Sequence, residues 1–126
     1  SVDHEAGWVA RMGERVAHEC VHAPLVDRYV HGMHALCFDF DPDSYDLVIV
    51  DGPQGLKRQS RWGSLEVLDK CLGDEFLVIY DDAARKGEQD TIREFLRHRN
   101  AGVHLVQGNQ AQIILYSPKF SAVQYF

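Results

Sequence analysis

Tyr45-Asp46-Leu47-Val48-Ile49-Val50-Asp51-Gly52-Pro53 is a continuous β-branched run stopped by an aspartate and a Gly-Pro break. A run of this kind reads as a strand buried on both faces, as the central strands of parallel sheets are. The pattern returns at Glu75-Phe76-Leu77-Val78-Ile79-Tyr80, which Asp81-Asp82 end. A polar loop, Gln54 to Ser60, follows the first strand. It leads to a helix predicted from about Arg61 to Leu72, with Trp62, Leu65, Leu68 and Leu72 on one side. After the second strand, Ala83 to about Arg99 reads as a helix with Ile92, Phe95 and Leu96 inward and Asp82 at its N-cap. Val103 to Gln107 and Ala111 to Tyr116 flank the Gly108-Asn109 turn signal and predict an antiparallel hairpin.

Upstream of the first run, Asp27 to Asp43 reads as irregular chain or a short edge strand. Cys20 to Val26 reads as a short strand ending near Pro24. Trp8, Val9, Met12 and Val16 lie at helical spacing, and Ser1 to His4 read as the tail of a strand. Strand and helix alternate. The expected architecture is therefore α/β, a mostly parallel sheet with helices on both faces and a C-terminal antiparallel hairpin.

The chain has 126 residues, 45% hydrophobic and 25% charged, which fits one domain with a single core. Its net charge of −6 argues against a nucleic-acid-coating surface, since phosphates need a basic face. Three cysteines without a C-x-x-C pair suggest neither a disulfide framework nor a structural zinc site. Neither a membrane-spanning apolar run nor a signal peptide is recognised, so the expectation is a soluble cytoplasmic protein. Nothing in the sequence decides for or against a homo-oligomer.

In open α/β sheets ligands bind beyond the carboxyl ends of the strands. If the two apolar strands are neighbours, Asp51, Asp81 and Asp82 converge on one edge. Carboxylates that close tolerate one another only through protonation, an intervening arginine or lysine, or a bound cation. Hard oxygen ligands suit magnesium, manganese or calcium, and the sulfonium of a cationic cofactor is another occupant. Lys57, Arg58, Arg61 and Arg85 are the cations available to balance the acids or hold an anionic acceptor. The histidines show no paired spacing.

These elements resemble the class I S-adenosylmethionine-dependent methyltransferases. Ser1-Val2-Asp3-His4-Glu5-Ala6-Gly7-Trp8 is similar to the end of that family's second strand, where an acid holds the cofactor ribose. Tyr45 to Pro53 resembles its fourth strand, Phe76 to Asp82 its fifth, and the last hairpin its reversed sixth and seventh strands. Val50-Asp51-Gly52-Pro53, Arg61 and Asp81-Asp82-Ala83 with Arg85 and Glu88 are similar to sugar and polysaccharide O-methyltransferases and to the metal-dependent catechol-type enzymes. The resemblance implies S-adenosylmethionine bound by Asp3, His4, Asp51 and Gly52, and magnesium or manganese on Asp51, Asp81 and Asp82. It makes Asp51, Arg61 and Arg85 the catalytic set, with Arg61 or Lys57 positioning a small-molecule or saccharide acceptor and Arg85 and Glu88 in support. The family's first strand, first helix and glycine-rich loop have no match in the sequence, so the expectation is a single domain over 1–126 that is incomplete at its N-terminal side. The alternatives are a Toprim-like metal-dependent phosphoryl-transfer domain, for which the acids lack the Asp-x-Asp spacing, and a non-catalytic interaction module on the same fold.

Overall fold

A computed structural model describes residues 1–53 and 61–125. The chain is mixed α/β, with three α-helices, a C-terminal 3-10 segment and three small sheets among the described residues. The first sheet is β1 (Val2–Asp3) beside β2 (Val21–His22), parallel, with α1 (Ala6–Gly13) between them in the chain. The second is the antiparallel pair of β3 (Leu25–Val30) and β4 (Met33–Phe38). The third holds β5 (Leu47–Val50), β6 (Leu77–Tyr80), β7 (Gly102–Val106) and β8 (Gln112–Tyr116) in the order β5-β6-β8-β7, with α2 (Ser64–Cys71) and α3 (Lys86–His98) in the connections.

Only β5–β6 is parallel within that third sheet, and both pairings of β8 are antiparallel. The expected mostly parallel sheet is thus replaced by a mixed one, because the terminal hairpin inserts β8 between β6 and β7. β6 has partners on both edges, and Val78 and Tyr80 are fully buried. Among the described residues, β5 pairs on one side alone. Its Leu47 and Ile49 are 54% and 64% exposed, whereas Val50 is buried. The reading of both apolar runs as doubly buried therefore holds less well for β5: an apolar run records what a strand could bury, and cannot say that a neighbour covers both faces.

The segment Asp27 to Asp43, expected to be irregular chain or a short edge strand, contains most of a six-pair hairpin. Its turn is His31-Gly32, with φ of 44° and 81°, a pair of left-handed residues that glycine adopts freely and histidine does not. The strand expected at Cys20 to Val26 is split by Ala23-Pro24 into β2 and the start of β3. The hairpin is fixed to the body by Trp62, whose Nε1–H donates to the Val30 carbonyl at 2.9 Å. Gly63 lets the backbones meet, since a Cβ there would lie 2.0 Å from the Leu36 carbonyl oxygen. The core gathers Leu65 and Leu68 of α2, Val78 and Tyr80 of β6, Ile92 and Phe95 of α3, Leu115 of β8 and Cys37 of β4. By contrast, α1 buries none of its residues.

Helices α2 and α3 both start later than the periodicity suggests. Arg61 to Gly63 form a turn, with the Ser64 N–H donating to the Arg61 carbonyl at 2.9 Å. Asp82 does not cap α3: Arg85 occupies the cap position, and Asp82 has φ of 54°. A non-glycine residue held there costs roughly 1 kcal/mol or more, a strain that aspartate tolerates better than most.

Candidate functional site

The parallel register pairs Val50 with Tyr80, so the residues that follow emerge at the same edge. The Asp81 N–H donates to the Val50 carbonyl at 3.1 Å and extends that pairing to the strand ends. One carboxylate oxygen from each of Asp51, Asp81 and Asp82 lies within 4.8 Å of the others. The expected convergence of the three acids is present.

At the centre of these acids is Arg61, 1% exposed. Its Nη2 donates to the Asp51 carbonyl at 3.0 Å and stands 3.4 Å from both Asp51 Oδ1 and Asp82 Oδ2. Its Nη1 donates to the Asp81 carbonyl. Its Nε is 3.7 Å from Oε1 of the buried Glu88. The guanidinium thus turns inward, tying the ends of β5 and β6 together and supplying the positive charge that three close carboxylates require. Sequence reasoning placed Arg61 at this edge, but nothing in a lone arginine after a polar loop says that it is buried.

Around this centre, Arg85 Nη2 is 2.8 Å from Asp82 Oδ2, whereas its Nη1 is 4.0 Å from Glu88 Oε1, so its main partner is the aspartate. The Gln112 amide donates to Asp81 Oδ1 at 3.1 Å, a contact from β8 that sequence reasoning missed. Partial desolvation raises the Asp51 carboxyl above its ordinary value; Asp81 and Asp82 add to the rise and Arg61 opposes it. With 72% of the Asp51 side chain exposed, solvent screens much of this.

Asp3 ends β1, and its Oδ1 accepts the Glu5 N–H at 2.9 Å, while His4 Nδ1 is 3.4 Å away. A cavity of about 840 Å³ runs from Asp3 and His4 to Asp51, Gly52, Arg61 and Asp82, with Trp8 among its apolar lining. The four residues expected to hold a cofactor therefore face one space, although they come from two sheets that share no hydrogen-bonded strand. Asp81 lies outside that lining, and Lys57 and Arg58 lie outside the described residues. No helix among the described residues is long and apolar enough to cross a membrane.

Comparison with known proteins returns nothing: no family model, curated protein or solved structure matches the chain.

Proposed function

We propose that this chain carries the cofactor edge of an S-adenosylmethionine-dependent methyltransferase acting on a hydroxyl of a small, sugar-like acceptor. The observation that carries the reading is the shared cavity joining Asp3 and His4, at the end of β1, to Asp51 and Gly52, at the end of β5. The strand order β5-β6-β8-β7 with a reversed β8 supports it, since the family's strand order, 3-2-1-4-5-7-6, ends in strands four, five, seven and six. The separate β1–β2 pair supports it as well, since in the family's order the first strand stands between the second and third strands on one side and the fourth on the other.

In this reading S-adenosylmethionine supplies a methyl group on a positively charged sulfur. Asp3 accepts hydrogen bonds from the ribose hydroxyls. The negative rim at Asp51 attracts the cationic end of the cofactor. Arg61 is a positioning residue that holds the two strand ends at fixed separation, and Arg85, half exposed at the rim, is the cation available to an anionic acceptor. The carboxylate oxygens suit magnesium or manganese in kind. However, Arg61 already stands between Asp51 and Asp82, so the proposal does not require a metal.

Calorimetric titration of S-adenosylmethionine into the protein, with and without magnesium, tests this. Binding that weakens at least about tenfold in Asp3→Ala is expected, and magnesium should change it little. No heat and no shift in melting temperature in either buffer would overturn it. A non-catalytic interaction module is the second reading, favoured by the open edge of β5 with Leu47 and Ile49 exposed.

A further inference from the structure

Away from the acidic edge, the turn of the β3–β4 hairpin meets the last turns of α3. His31 Nε2 lies 2.6 Å from Asp69 Oδ2 of α2. An ionised aspartate can only accept, so Nε2 carries a proton and Nδ1 is the ring nitrogen left for a second partner. That Nδ1 is buried without a hydrogen-bond partner and stands 3.4 Å from Glu94 Oε1. His98, one turn after Glu94 on α3, brings its Nε2 to 3.0 Å from the same oxygen. The two imidazoles meet edge to face with centroids 4.4 Å apart. Glu94 Oε2 is held by Arg97 at 2.8 Å, which leaves Oε1 aimed at the histidines.

Between His31 Nδ1 and the Glu94 carboxylate oxygen a positive charge is favoured, a proton or a metal ion. We propose that His31 Nδ1, Glu94 Oε1 and His98 Nε2 form a binding site for a zinc-class divalent transition metal, with Asp69 as the partner that fixes the His31 ring. The three donor atoms lie within 4.8 Å of one another. The observed 3.4 and 3.0 Å spacings bracket the edge of about 3.3 Å that a tetrahedral ion with bonds near 2.0–2.1 Å requires. Two imidazoles and one carboxylate suit zinc, and the carboxylate–histidine contact from Asp69 is the support that metal-bound histidines usually have. The His98 side chain is about half exposed and lines a cavity of about 500 Å³ that also reaches Asp69, which leaves that ligand open to an ion from solvent. The ion would clip the hairpin to α3 and is independent of the methyltransferase reading.

Zinc titrated into the tag-free full chain, followed by calorimetry and melting temperature, tests the site, with cobalt as a coloured substitute that reports tetrahedral geometry. One equivalent is expected, with a rise in melting temperature. His98→Gln, at an exposed helix position, should weaken binding at least about tenfold, and Asp69→Ala about 10–100-fold. Asp51→Asn should leave it unchanged. No binding to the wild-type chain, equal binding by His98→Gln, or loss in Asp51→Asn instead would overturn the proposal. Should Asp69→Ala fail to fold, His98→Gln and the cobalt spectrum of the wild type still decide.

Discussion

Residues 1–22 and the rest of the chain are built on different principles. In the first region β1, α1 and β2 are joined by a two-pair parallel ladder, α1 buries nothing and Trp8 is about half exposed. In the second, α2 and α3 enclose β6 and β8, and even charged groups, Arg61 and Glu88, are buried. One region is held by packing and the other mainly by backbone contacts. Yet the proposed cofactor cavity draws on both, so the region that carries the stability and the region that carries Asp3 are separable by mutation.

Thiol chemistry should separate them most. Burial, reinforced by the neighbouring Glu66, pushes the Cys37 thiol up from 9.0 to about 12, which leaves about a thousandfold less thiolate at neutral pH. A thiol reagent on the native protein should modify Cys20 first and reach Cys37 and Cys71 only on unfolding. Simultaneous labelling of all three would erase the contrast. In the packed region, Arg61→Ala leaves Glu88, Asp51 and Asp82 without their central cation and should cost roughly 3–5 kcal/mol in denaturant unfolding. Leu68→Ala, at a fully buried position, should cost roughly 2–5 kcal/mol, whereas Trp8→Ala should cost under about 1 kcal/mol. Equal losses for the two would mean that α1 belongs to the core after all.

A smaller effect sharpens the same contrast through pH. Burial would raise the Glu94 carboxyl, but hydrogen bonds from His98 and Arg97 outweigh it and hold the group below its ordinary 4.5. Because the folded value is depressed, its contribution to stability is full above about 4.5 and is lost as pH falls through the lower folded value. Melting curves recorded with a chelator present should therefore show the wild type and Glu94→Gln converging from pH 7 toward pH 3.

Much of the packed region was legible because its signals are local. The runs ending at Asp51 and Asp81 announce neighbouring strands, and Gly108-Asn109 announces the hairpin. Their parallel register then brings the acids together without further information. What escaped depends on contacts distant in sequence. His31-Gly32 is a turn that its composition hardly advertises, and the inward course of Arg61 is set by two strand ends that it bridges. The meeting of His31 with Glu94 and His98 was hidden for the same reason, although Glu94 and His98 at i,i+4 on one helix face were a signal that could have been weighed.

The account depends on one ligand bridging the thin region and the packed one, and amide NMR during titration with S-adenosylmethionine reads that directly. It predicts saturable shifts confined to Val2–His4 and to Val50–Gly52 with Asp82, the two rims of the shared cavity. Shifts on one rim alone, or none at all, would contradict it.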